Sequence, residues 1–218
     1  MANLIFDYDG TLHNGVKIYA PAFRLAYERL VSLGFAKPQE WTEEEISHWM
    51  GYTPEGMWDT FMPDLAKEEK DASSKLIERE MGERIRRGKA QLYEGAEETL
   101  AALKEAGYTL LFLSNCTTSY MNDHRKAFNL DRFFEDFYCG EDFAYIPKYE
   151  IFKTIREQHP GEYAVIGDRG KDLEIAVHHG LPSIGCTYGY AQEGELDKAS
   201  KLCKDVREIP ELLKELNI

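Results

Sequence analysis

Leu4-Ile5-Phe6-Asp7-Tyr8-Asp9-Gly10-Thr11 begins with three apolar residues, then sets two carboxylates two positions apart and closes on a glycine turn and a hydroxyl. A short apolar run that stops at polar residues reads as a buried strand reaching the rim of its sheet. Aspartate and glycine also end strands for purely local reasons, because both favour turns. Other segments weigh against so plain a reading. Tyr163-Ala164-Val165-Ile166 is a second apolar run, closed by Gly167-Asp168-Arg169-Gly170-Lys171-Asp172, and Leu110-Leu111-Phe112-Leu113 is a third, closed by Ser114-Asn115. Pro182 to Cys186 forms a weaker fourth. Three strand ends therefore carry polar groups that a parallel arrangement brings to one rim.

Between the later runs, apolar residues recur three or four apart, as in Leu100, Leu103 and Ala106 or Ile151, Phe152 and Ile155, which predicts amphipathic helices. Continuous apolar strands alternating with helices imply an α/β fold, a Rossmann-like parallel sheet covered on both faces. Such sheets bind ligands beyond the carboxyl ends of their strands. The stretch 14–92 breaks the alternation. It holds no convincing buried strand and predicts helices near Pro21 to Leu33, Trp41 to Met50, Glu55 to Leu65 and Ser73 to Arg87. We expect a helical cap domain at 14–92, inserted in a core made of 1–13 and 93–218, with hinges at His13 to Val16 and Gly88 to Tyr93.

The chain has 218 residues and a formal charge of −13, from 26 basic and 39 acidic side chains. The inserted stretch carries 12 basic and 14 acidic residues, so the acidity lies in the core. That balance excludes a general nucleic-acid binder, which needs a basic footprint against phosphates. No apolar stretch near the start suits a signal peptide or a membrane span, so a cytoplasmic protein without a membrane partner is expected. Cys116, Cys139, Cys186 and Cys203 lack metal-ligand spacing and read as reduced thiols.

Asp7, Asp9, Asp168 and Asp172 gathered at one crevice repel one another and raise their own pKa values unless a cation sits among them. Oxygen ligands without neighbouring His or Cys suit Mg²⁺, which keeps open positions for water and phosphate oxygens. The arrangement points to phosphate chemistry.

Taken in order, Asp7-x-Asp9-Gly10-Thr11, Ser114, Lys148 and Gly167-Asp168-x-x-x-Asp172 resemble the four motifs of the haloacid dehalogenase-like superfamily. The resemblance spans essentially the whole chain, and 14–92 is similar to the cap placed after the first motif. Tyr93-Glu94-Gly95 and Ile184-Gly185-Cys186-Thr187-Tyr188-Gly189-Tyr190 are similar to the phosphoglycolate-phosphatase-like branch.

The resemblance implies that Asp7 is a nucleophile forming an aspartyl-phosphate, with Asp9 the general acid and then base. It makes Ser114 and Lys148 catalytic partners that also hold phosphate, together with Thr11 and Asn115. It assigns Mg²⁺ to Asp7, to the backbone carbonyl of Asp9 and to Asp168, with Asp172 adjacent or just behind. Three positions depart from the pattern: Pro147 precedes Lys148 instead of following it, Arg169 replaces a frequent Ser or Thr, and Asn14-Gly15 replaces a frequent Asp-Ser. Lys153 is the other candidate amine, and Ser114 has an alternative use as the N-cap of the next helix.

Within the cap, Ile46, Trp49 and Met50 at helical spacing read as its own core, and Arg84, Arg86, Arg87 and Lys89 as a solvated helix face. The turn Gly51-Tyr52-Thr53-Pro54 is the candidate for reaching the crevice, which makes Tyr52 and Thr53 candidate specificity residues. A Mg²⁺-dependent phosphatase of a small phosphorylated metabolite, monomeric or homodimeric, is the resulting expectation. Its rivals are a phosphosugar mutase, a metal-independent haloacid dehalogenase and a non-catalytic binding protein.

Overall fold

The computed structural model describes residues 2–218, so the first position of the expected segment 1–13 lies outside the described residues. Strand β1 (Asn3–Phe6) is central and buried along its whole length. The chain then forms helices α1 (Val16–Ser32), α2 (Glu43–Ser47), α3 (Pro54–Phe61), α4 (Lys67–Arg86) and α5 (Ala96–Glu105) before β2 (Thr109–Ser114). There follow α6 (Thr118–Phe128), β3 (Phe134–Cys139), α7 (Lys148–Gln158), β4 (Tyr163–Gly167), α8 (Gly170–His179), β5 (Ser183–Cys186), β6 (Lys201–Cys203) and α9 (Ile209–Glu215).

The six strands form one parallel sheet in the order β3-β2-β1-β4-β5-β6. From β1 the chain moves outward through β2 and β3, then returns to pair β4 on the other side of β1. The connections leaving β1 and β4 thus run in opposite directions, which opens a crevice at their carboxyl ends. One apolar cluster, with Leu4, Phe6, Phe112 and Ile166, fills one face of the sheet; another, with Ile5, Leu111, Ile151 and Val165, fills the other. Burial on both faces explains the unbroken apolar runs of the central strands.

Strands β3 and β6 escape a reading of apolar runs because they are the two edges. In β3 the exposed pair Glu135 and Asp136 interrupts the pattern, and β6 has three residues. An edge strand is solvated along one side and tolerates charge there.

Helices α1 to α4 share an apolar cluster that includes Phe23, Leu30, Ile46, Met57, Trp58 and Ile77. Helix α1 begins at Val16, five residues before its expected start, with Pro21 inside it. Proline there deprives only the carbonyl of Lys17 of its helical partner, and Lys17 is exposed to water. Helix α4 also starts earlier than expected, at Lys67, through a charged turn with no apolar period whose Glu68 and Glu69 suit a helix N-terminus. The two segments joining these helices to the sheet run side by side: the Asn14 amide donates to the Gln91 carbonyl (2.9 Å) and the Tyr93 amide to the Leu12 carbonyl (2.8 Å). No helix among the described residues is long and apolar enough to cross a membrane.

Candidate active site

Asp7 is the first residue beyond β1, and its amide still donates to the Ile166 carbonyl (2.9 Å), so it leaves the sheet at the crevice. The chain then turns through Gly10 at φ 90°, where a Cβ would lie 2.1 Å from Asp168 Oδ2. Only glycine satisfies both the left-handed backbone and that approach. Asp168 follows β4 and Asp172 lies in the first turn of α8. Lys148 is the first residue of α7, with Pro147 as its N-cap, and its Nζ donates to Asp7 Oδ1 and Asp172 Oδ1, both at 2.6 Å. The inverted order of proline and lysine therefore still delivers the amine to the crevice. Lys153 is exposed and pairs with Glu150.

Asp7, Asp168 and Asp172 each offer an oxygen within 4.8 Å of the others, and all three are buried. Asp168 accepts from the Tyr190 amide (2.7 Å) and from the Thr11 hydroxyl (3.3 Å), and Asp172 accepts from the Arg169 amide (2.9 Å). Burial, reinforced by Asp172 and opposed by Lys148, raises Asp7 to about 7. Burial and then Asp7 push Asp168 well above the carboxylate range. Burial alone would depress Lys148, yet Asp172 and Asp7 more than reverse it, so the amine stays charged. Three buried carboxylates with a single ammonium among them leave negative charge uncompensated, and a hard divalent cation fits that oxygen set.

The side chain of Asp9 stands outside this cluster, in contacts of its own. Its Oδ1 lies 2.6 Å from His13 Nδ1 and accepts a hydrogen bond from the Tyr120 hydroxyl at 2.7 Å. Gly15 makes room for this, since a Cβ there would come within 2.6 Å of the same oxygen. Behind His13 stands His124, ring centroids 4.4 Å apart, and the Tyr8 hydroxyl shares a hydrogen bond with His124 Nδ1 (2.8 Å). Burial first, then His13, holds His124 far below the usual histidine range, and burial pushes the phenols of Tyr8 and Tyr120 up. His13 and His124 are fully buried. Motif reading misses this group because its members come from β1's exit and α6, 107 or more residues apart; the available signal is a histidine four positions after Asp9.

Ser114, the last residue of β2, is buried and lines the cavity above the carboxylates, as does Asn115. The N-cap of α6 is Thr117, which removes that alternative use of Ser114. Thr11 is fully buried, and its hydroxyl serves Asp168.

The cavity, about 1000 Å³ with its mouth included, lies between these strand ends and helices α1, α3 and α4. Tyr52 and Thr53 line it; the Thr53 hydroxyl caps α3 by accepting from the Gly56 amide (3.1 Å). Trp49 packs against Phe61 (5.3 Å between centroids), as expected of a core residue, and also lines the cavity. Arg169 donates to Glu195 through two nitrogens (2.7 and 3.0 Å) and to the Met50 carbonyl, joining the rim of the sheet to the turn before α3. Arg84, Arg86 and Arg87 pair on the surface with Glu80, Asp123 and Glu83.

A family model described as haloacid dehalogenase-like hydrolase matches residues 4–186. The phosphoglycolate phosphatase of Vibrio vulnificus (strain YJ016) is 27% identical over 212 residues, covering 91% of this chain and 88% of its own length. A phosphoglycolate phosphatase of Agrobacterium fabrum is 34% identical over 108 residues, covering 47% of this chain and 46% of its own. Among solved structures, a predicted phosphoglycolate phosphatase from Haemophilus somnus 129pt superposes with a TM-score of 0.82 at 22% identity, covering 97% of each chain. CbbY from Rhodobacter sphaeroides in complex with phosphate gives 0.78 at 19% identity, covering 96% of each.

Proposed function

The chain belongs to the haloacid dehalogenase-like hydrolase family, and from that premise we propose that it is a Mg²⁺-dependent phosphatase of small phosphomonoesters, working through an aspartyl-phosphate on Asp7. One observation carries the reading: a single lysine bridges Asp7 and Asp172 at 2.6 Å each, and Asp168 brings a third buried carboxylate within 4.8 Å of theirs. The phosphoglycolate phosphatases among its relatives support the same reaction class.

In the first step a carboxylate oxygen of Asp7 attacks phosphorus, the bond from phosphorus to the ester oxygen breaks, and Asp9 hands its proton to the departing alkoxide. In the second, water attacks the phosphorus of the acyl phosphate and gives a proton to Asp9, while the bond from phosphorus to the Asp7 oxygen breaks, freeing inorganic phosphate and the Asp7 carboxylate. Carboxylate and phosphate dianion repel, so the charge of Lys148 and hydrogen bonds from Ser114 and Asn115 are needed on the transferring group. Asp7, Asp168 and the Asp9 carbonyl would hold Mg²⁺, with Asp172 behind, and the ion supplies the remaining neutralisation of charge. His13 and Tyr120 fix Asp9 Oδ1, which leaves its other oxygen to meet the ester. Helices α1 to α4 act as a cap that shields the acyl phosphate from bulk water.

The test is an acid quench during turnover of a ³²P-labelled phosphomonoester with Mg²⁺. Protein-bound label that hydroxylamine releases is the expected result, and its loss in Asp7→Glu is the control. Rapid turnover with no label and an unaffected variant would overturn the assignment.

A further inference from the structure

The strand ends grip a phosphoryl group, which every phosphomonoester shares, so the part of the substrate that leaves must be recognised by the opposite wall. That wall is mainly apolar, its polar groups being the phenols of Tyr19 and Tyr52, the hydroxyls of Thr53 and Ser74, and Glu78. Trp49, Met50, Met57, Trp58, Ile77 and Met81 all line the cavity, and the indole nitrogen of Trp58 is already satisfied by Ser74 (2.9 Å).

The charged groups facing the cavity are accounted for. Among the described residues its cations are Lys148, Arg169 and Lys171. Lys148 is held by Asp7 and Asp172. Arg169 is buried and spent on Glu195 and the Met50 carbonyl. Lys171 is exposed at the rim, its ammonium 4.4 Å from the centre of the Tyr52 ring, and Glu174 and Glu195 act on it from its own side of the cleft. On the cap side the one anion of the lining, Glu78, accepts from Ser119 (2.6 Å). A second anion on the substrate would leave water for a wall of indole, thioether and alkyl surface with no enclosed cation to receive it, which is costly. An alkyl or aromatic group would gain from the same wall.

We infer that the leaving portion of the substrate is apolar, an alkyl or arylalkyl group of side-chain size, and not a short carboxylate such as glycolate. The inference rests on the phosphatase reading, and its test separates the two. Turnover with Mg²⁺ is compared for ethyl, hexyl and 2-phenylethyl phosphates and for phosphoglycolate, all esters of unactivated alcohols, so that differences report on the leaving portion. The hexyl and 2-phenylethyl esters are expected to exceed ethyl phosphate and phosphoglycolate in kcat/KM by roughly tenfold or more. In parallel, calorimetry on the Mg²⁺-loaded protein compares 2-phenylethylphosphonate with phosphonoacetate, neither of which can be hydrolysed. Roughly tenfold tighter binding of the arylalkyl phosphonate is expected, with the difference shrinking in Trp49→Ala and in Ile77→Ala. Preference for phosphoglycolate, or equal binding of the two phosphonates, overturns the inference and leaves the phosphatase reading standing. Failure to turn over any ester together with selective binding of the arylalkyl phosphonate overturns the phosphatase reading and upholds the character of the cavity.

Discussion

The rim of the sheet and the helices above it line one cavity with opposite chemistry. Asp7, Asp168 and Asp172 offer oxygens within 4.8 Å of one another beside Lys148, the first two held at strand ends and the third in the first turn of α8. Across the cavity, Trp49, Met57, Trp58 and Ile77 belong to the apolar cluster of helices α1 to α4 or pack against it. Fixed charges aimed at a developing phosphoryl transition state lose effectiveness when displaced by a fraction of an ångström, and therefore need rigid support. Apolar contact is non-directional and tolerates repacking. Substitutions at the rim should alter chemistry; substitutions on the helices should alter which molecule is accepted.

The most severe break in that contrast is Asp7→Asn. It should lower kcat by more than about a hundredfold, a loss of roughly 3 kcal/mol in barrier. In metal-free protein it should also raise Tm near pH 7. The fold raises Asp7 to about 7 from an ordinary 3.8, so the ionised form is the one penalised. That penalty is absent below about pH 4, where folded and unfolded chains both hold the proton, and complete above about pH 7. Wild-type Tm should accordingly fall between pH 4 and 7 in chelator through this group, and the variant should lack that share of the fall. A thermal melt of both proteins across this range checks it.

Removal of metal comes next. A chelator should abolish turnover and added Mg²⁺ restore it, while Mg²⁺ raises the Tm of wild type by relieving the repulsion among Asp7, Asp168 and Asp172. Unchanged melting on addition of Mg²⁺ would argue against a cation among these oxygens.

A smaller effect is expected behind Asp9. Tyr120→Phe removes one hydrogen bond to its Oδ1, and His13→Phe removes the other contact. Each should cost roughly tenfold in kcat on alkyl phosphates, whose poor leaving groups require a placed proton donor, with KM little changed. p-Nitrophenyl phosphate needs less help from the acid and should be less affected; an equal loss on both esters would mean that the residues serve only the fold.

The mildest change lies in the turn above the site. Tyr52→Ala and Thr53→Ala should shift the ratio of kcat/KM between two esters by a few-fold while sparing p-nitrophenyl phosphate. Thr53→Ala also removes a helix cap, so a uniform loss accompanied by a lower Tm would assign that position to stability.

Strand ends, their acids and the parallel sheet were legible because a strand buried on both faces must be continuously apolar, and the point where polarity resumes marks the rim. Leu4 to Asp9 and Tyr163 to Asp168 carry that signature without reference to the rest of the chain. The edge strands lacked it, since Glu135 and Asp136 can face water. The early starts of α1 and α4 were hidden by Pro21 and by a charged first turn, both tolerated there for reasons of solvation that periodicity does not record.

Nothing local announces that His13 and Tyr120 meet Asp9, that Arg169 reaches the Met50 carbonyl, or that Trp58 faces the same cavity as Lys148, 90 positions further along. Backbone turns and apolar periods are decided among neighbours, within a few residues, and composition expresses them directly. Convergence of side chains depends on how the helices seat against the sheet, and that is set by the summed packing of many contacts with no single residue responsible. The amino-acid order therefore identifies the acids at the rim and the scaffold that carries them, whereas the positioning of Asp9 and the apolar character of the opposite wall emerge only once the helices are packed above the rim.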